Sequence, residues 1–361
     1  MNLGVKDNEH NEPREVEDIP EEPSVKNQNV QHIQATDWAF AAILGDRSVV
    51  TWGDAGCGGN SSAMQDELKN VQQIQATESA FAVILGNGSV VTWGDASSGG
   101  GSSAAQDQLK NVQQIQANDR AFAAILGDGS VVTWGEAVGG GVVSSAVQDQ
   151  LKDVKQIQAT ACAFAAILGD GCVVTWGDGY CGGDSGAVQD QLKNVQQIQA
   201  TTCAFAAILG DGSVVTWGDG YSGGDSGAVQ DQLKNVQQIQ ATFYAFAAIL
   251  GDGFVVTWGD ANCGGDSIAV QDRFKNVHQI QANDRAFAAI LGDGFVVTWG
   301  DAGGGGVSSA VQDQLKDVQQ IQATTCAFAA ILGDGSVVTW GDGYSGGDSG
   351  AVQDQLKNVQ Q

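Results

Sequence analysis

The sequence predicts an all-β chain folded as a β-propeller, and three observations predict it. A Trp-Gly pair recurs at Trp52, Trp93, Trp134, Trp176, Trp217, Trp258, Trp299 and Trp340, at spacings of 41, 41, 42, 41, 41, 41 and 41 residues. Each pair closes a variant of one apolar hairpin, whose core reads GDGSVVTWGD at 210–219. The strands of that hairpin are apolar on both sides instead of alternating apolar with polar. A period in this range marks a solenoid, a propeller or a repeat array. Strands apolar on both faces must be sandwiched between neighbours, as the blades of a propeller are.

The elements follow in order along the cleanest unit, 194–234. VQQIQA reads as a first strand. AFAAIL and VVTWG follow, joined by Gly210-Asp211-Gly212-Ser213. An Asp-Gly pair between apolar runs predicts a hairpin with a primed turn, which needs φ > 0 at its central residues. Asn87-Gly88 serves equally in the second unit; Arg47 replaces the glycine in the first, which predicts a looser turn there. The small residues Ala204, Ala206 and Ala207 suit strands crowded near a central axis. The remainder, SGAVQDQLKN, places Val229, Leu233, Val236 and Ile239 at helical spacing, with Asp225 or Ser226 able to cap a short helix. An open hairpin-plus-helix solenoid is therefore the rival architecture. One unit has too few large apolar side chains to offset its ordering entropy, so stability must come from neighbours.

Residues 1–29 stand apart, with eight acidic and three basic residues and all three prolines of the chain. Such a segment predicts a disordered acidic tail, and 30–361 the repeat body. Net charge is -26 with only 16 Lys plus Arg. Direct nucleic-acid binding, which needs clustered cations, is not expected; solubility or a basic partner is. No stretch of 18 apolar residues is present, so no helical membrane span is expected. The first 20 residues lack an apolar core of the secretory kind. The seven cysteines sit in repeat slots that other units fill with Ser, Gly, Arg or Tyr. Read as drift, they predict neither a disulfide framework nor a zinc site, and so an intracellular, reducing setting, cytoplasmic or nuclear.

The ordered set Asp211-Gly212, Val214, Trp217-Gly218, Gly223, Val229, Leu233, Val236, Ile239 and Ala241, repeated eight times over about 330 residues, resembles the repeat of the regulator of chromosome condensation family. That resemblance implies a propeller, usually of seven blades; eight units here imply seven or eight. It also implies three roles: guanine-nucleotide exchange on a small GTPase, chromatin docking, or substrate recognition beside a HECT-type ubiquitin ligase. The chain departs from the pattern where the family carries Gly and then His, having Thr201 and Ala204, and where it carries GQLG, having GGDS at 223–226. No unit holds a wedge-like insertion.

Motifs that look chemical have plainer readings. Gly183-Asp184-Ser185-Gly186 and Gly220-Tyr221-Ser222-Gly223-Gly224 mimic serine-hydrolase signatures, but each needs a paired histidine base, and the chain has only His10, His32 and His278. The aspartates of GDG and WGD are separated by a strand, unlike a calcium loop. No enzyme activity, cofactor or metal is expected. Function is expected where units differ: in the slot before AFAAIL and in the segment after WGD. In a propeller each slot repeats around one rim, and binding residues favour such loops. Asp37, Trp38, Arg120, Phe243, Tyr244 and Arg285 are the candidate binding residues, several of hot-spot type. The expected protein is a monomeric interaction scaffold whose protein partner is a small GTPase, a histone-like chain or another basic protein.

Overall fold

The computed structural model describes residues 29–359. Within them each repeat forms one three-stranded antiparallel sheet, and there are eight. The strands of the blades span 30–53, 71–94, 112–135, 154–177, 195–218, 236–259, 277–300 and 318–341, blades 1 to 8 in turn. In blade 5 they are Val195–Ala200, Ala204–Leu209 and Val214–Gly218. Phe205 lies opposite Trp217 and also opposite Ala200, and a bulge separates Val195 from Gln197. First strands of successive blades approach one another, which turns that edge toward the shared axis. The eight-bladed propeller is thus built from units that differ in sequence mainly at their loops.

Each blade contacts the next through one recurring joint, and seven such joints form. At the joint of blades 4 and 5, Ala163 and Ala165 face Phe205 and Trp217, whose rings stack at 5.1 Å. The alanines therefore serve a different end from the one expected. They lie in the middle strand, where their small size admits the next blade's aromatic pair. Gly182 completes the contact: its φ is +90°, and a Cβ there would stand 2.7 Å from the Phe205 ring. Its carbonyl accepts a hydrogen bond from Trp217 Nε1 at 3.0 Å. The same bond joins Trp93, Trp134, Trp258, Trp299 and Trp340 to the preceding blade. Trp176 is the exception. It follows the 42-residue unit, and its buried Nε1 has no partner.

The connections correct several expectations. The Asp-Gly hairpins are not primed two-residue turns. Gly212 N–H donates to the Leu209 carbonyl and Leu209 N–H to that of Ser213. Gly212 has φ of +79°, while Asp211 does not enter the left-handed region. This is a three-residue loop closing on a left-handed glycine. Asp211 accepts from the Ser213 N–H and hydroxyl. Arg47 does not loosen its turn: it adopts φ of +63° and keeps the same two bonds, at the steric cost a side chain incurs there. The SGAVQDQLKN segments are not solenoid helices. Most are turns or single 3-10 turns such as Gln230–Gln232, and one four-residue α-helix forms at Ser145–Gln148. Ser226 caps nothing; its hydroxyl meets Thr216 and Gln230. Cys181 and Cys203 form a disulfide, so the reading of all seven cysteines as unpaired drift fails at this pair. The support it lent to a reducing setting fails with it. The tail expected over 1–29 lies outside the described residues except for Asn29.

The eighth joint, between blades 8 and 1, is not made among the described residues. Phe40 and Trp52 still stack on each other, at 5.3 Å, but are each 45% exposed. Their counterparts Phe205 and Trp217 are 0% and 4% exposed. Gly346, the blade-8 counterpart of Gly182, has nothing within 4 Å of where its Cβ would stand.

Candidate functional site: the axial mouth

All eight blades touch one cavity of about 1000 Å³. Each contributes the residues just after its first strand, and one variable slot begins there. The backbone at this slot is held from three sides. First, blades link in series around the axis: the N–H of Asp37 donates to the carbonyl of Glu78, Glu78 to Asp119, Asp119 to Ala161, Ala161 to Thr202, Thr202 to Phe243, Phe243 to Asp284, and Asp284 to Thr325, at 2.9–3.3 Å. Second, the residue before the slot is a Thr or Asn, buried in blades 1 to 7, that pins its own blade. Thr201 Oγ1 donates to the Ser222 carbonyl at 2.9 Å and accepts from the Ala204 N–H at 3.0 Å. Third, the aspartate after Trp-Gly closes the outer loop, as when Asp219 accepts from the Ser222 N–H and hydroxyl. Thr201, a departure from the resembled repeat, is thus the post that ties both variable segments of a blade together. Ser222 and Ser185 are spent in turns, since Ser185 Oγ donates to Gln189.

On this frame the side chains differ blade by blade. Asp37, Glu78, Asp119 and Asp284 line the cavity, and among the described residues no Lys or Arg does. Burial pushes the Asp119 carboxyl up to about 6, helped by the charges of Glu78 and Asp37 and opposed by Arg120. Burial likewise raises Asp284, with Arg285 opposing. Phe243 and Tyr244 supply an aromatic sector on blade 6. Tyr244 packs against Tyr221 at 5.9 Å and against Phe243 at 6.1 Å. The Tyr221 hydroxyl bonds Asp260, which raises its pKa.

The six residues singled out in the sequence therefore fall into two sets. Asp37, Phe243 and Tyr244 are brought together on the cavity wall. Trp38, Arg120 and Arg285 occupy the same slots but do not line the cavity. Trp38 is 71% exposed, and Arg120 Nη1 pairs with Glu136 at 3.0 Å. Glu78, Asp119 and Asp284 belong to the mouth and were not singled out. Their signal was visible as acids recurring in one slot, but their convergence needs the ring. The Cys181–Cys203 bond was also missed. Its partners occupy different slots that face each other only across a joint.

Comparison with known protein families and with curated proteins finds no match. Solved structures do match. Human WBSCR16 aligns over 66% of this chain and 79% of its own at 15% identity and a TM-score of 0.42. Prp20p from Saccharomyces cerevisiae, the yeast RCC1, aligns over 75% and 72% at 17% identity and 0.40. The CRINKLY WD40 ectodomain of the Arabidopsis thaliana receptor kinase ACR4 aligns over 75% and 95% at 17% and 0.40. At these identities and scores they carry no argument about what this chain does. The architecture rests on the sheets and joints themselves.

Proposed function

We propose that the protein is a non-enzymatic scaffold that binds a basic segment of a protein partner at the axial mouth. The observation that supports this is the mouth's composition: four carboxylates and an aromatic sector with no cation among the described residues, all on a backbone held by its neighbours. Carboxylates crowded together favour an incoming cation, whose charge relieves their mutual repulsion. Asp119, already pushed toward protonation, gains most from it. Tyr244 and Phe243 offer faces to a guanidinium or ammonium group. Arg120, Arg285 and Trp38 form an outer ring that orients the partner's flanking residues. A histone-like chain or the basic face of a small GTPase has the required chemistry, and an intracellular setting, cytoplasmic or nuclear, belongs to this reading.

The test is fluorescence anisotropy with a labelled Arg-rich peptide and the full chain. The triple variant Asp37→Asn, Glu78→Gln, Asp119→Asn should weaken binding at least about tenfold, and Tyr244→Ala several-fold. Affinity should fall with added salt, because partly exposed charges are screened. Binding unchanged in the triple variant removes the mouth from consideration. Pull-downs with Arg120→Ala and Arg285→Ala then decide whether the outer ring contributes.

A further inference from the structure

We infer that the unjoined face of blade 1 is a docking site for the blade-8 edge of a second copy of this chain, giving head-to-tail association. This surface is separate from the axial mouth and does not depend on its assignment.

Five apolar residues define the face: Val30, Ile33, Phe40, Val50 and Trp52, exposed by 44–54%. In blade 2 their counterparts Val71, Ile74, Phe81, Val91 and Trp93 are at most 7% exposed. The other blades bury the same positions in the same way. So blade 1 presents, open to solvent, the set of side chains that every later blade packs against its predecessor. What covers such a face is known from the seven joints: a middle strand of alanines, and a left-handed glycine turn pressed onto the Phe ring with its carbonyl on the Trp indole.

Among the described residues one edge offers that chemistry without using it, and it belongs to blade 8. Gly346 has φ of +97°, as its counterparts do, and meets nothing. Its carbonyl accepts no hydrogen bond, and Trp52 Nε1 donates none, although the equivalent pair is bonded at six of the seven joints. The series of backbone bonds around the mouth ends the same way. Among the described residues the Thr325 N–H has no acceptor and the Asp37 carbonyl no donor. Donor matches acceptor, and ring matches glycine, at two ends of one chain that share no joint among the described residues. A heterologous contact of this kind joins copies in sequence. It repeats the contact of ring and glycine turn that the fold already makes seven times, while the Gly335 carbonyl, whose counterparts at the other joints take the next blade's first N–H, keeps its bond from Val359 of its own chain. Copies carrying a charge of -26 repel, so association should strengthen as salt screens them.

Sedimentation velocity on the full chain over a wide concentration range tests this. The expected result is a mass that rises beyond one copy with concentration, and more readily in higher salt. Two variants block opposite ends. Phe40→Asp spoils the face. Gly346→Asn meets no described atom of its own chain, at the backbone strain a side chain incurs at φ of +97°, and places a side chain where the partner's Phe ring must lie. Each alone should stay a single copy, weakening association at least about tenfold. Mixed together they should form a species of two copies and stop there, since one good face and one good edge remain. Three results overturn the inference. One is a wild-type chain that stays single at every concentration. Another is variants that associate like the wild type. The third is association that appears only after residues 1–28 are removed, which would make that segment the occupant.

Discussion

Replacing Phe205 by alanine and, separately, replacing Phe40 by alanine measures what a blade joint contributes. The two residues hold the same position in blades 5 and 1, and each stacks on its own blade's tryptophan, at 5.1 and 5.3 Å. They differ in what lies on the other side. Phe205 is fully buried beneath Gly182 and the alanines of blade 4, whereas Phe40 is 45% exposed and meets no blade. Deleting a buried Phe removes its transfer free energy and leaves a cavity, together about 3–5 kcal/mol. At Phe40 roughly half the ring is already open and no described residue encloses the gap, so the loss reduces to about 1 kcal/mol. Urea denaturation followed by tryptophan fluorescence, at dilutions where the chain is a single copy, should show the Phe205→Ala midpoint falling several times further. Equal losses for the two variants would refute the reasoning, since they would mean that blade 8 covers blade 1 in solution.

Three further outcomes follow from particular contacts. Trp217→Phe should destabilise by about 1–3 kcal/mol more than Trp176→Phe in the same denaturation assay: both lose the same buried ring area, but only the first strands a carbonyl, that of Gly182, the Trp176 indole N–H being already unpartnered among the described residues. Asp119 has its carboxyl raised to about 6, above its ordinary value of 3.8. The fold therefore disfavours its ionised form, and the stability it contributes is present below about 4 and lost as pH rises through 6. Asp119→Asn should accordingly raise the melting temperature at pH 7 relative to the parent and leave it unchanged near pH 4. Cys203→Ser removes a bond closing 22 residues, a loop worth about 3 kcal/mol in the chain-entropy account. That loss should vanish when parent and variant are both compared under reducing agent.

Much of the fold was legible because the repeat states the same facts eight times. Residues Phe205 to Leu209 cannot alternate faces, so they had to lie between two neighbours, and they do. The turns were less legible. A glycine at Gly212 satisfies either a primed turn or a loop ending in a left-handed residue, and only the backbone bonds to Leu209 tell them apart. The role of the alanines was misplaced because small size announces close approach without saying to what. The mouth was half legible. The slot holding Asp37 and Tyr244 declared itself by variation, but the meeting of Asp37, Glu78, Asp119 and Asp284 depends on rotation about an axis that no single unit encodes. The open seam could not be read at all. Phe40 and Trp52 sit in the same local sequence as Phe205 and Trp217, and nothing in that sequence records that no described blade packs on them.

The series of amide bonds from Asp37 to Thr325 has an evolutionary consequence. It is written entirely in main-chain atoms, and so are the acceptors of the Thr201-type posts. An exchange of side chain at 37, 78, 119, 161, 202, 243, 284 or 325, proline apart, therefore removes no bond of the frame. Specificity can drift, be shuffled by duplication, or be transplanted blade by blade, while the main-chain bonds of the ring stay as they are.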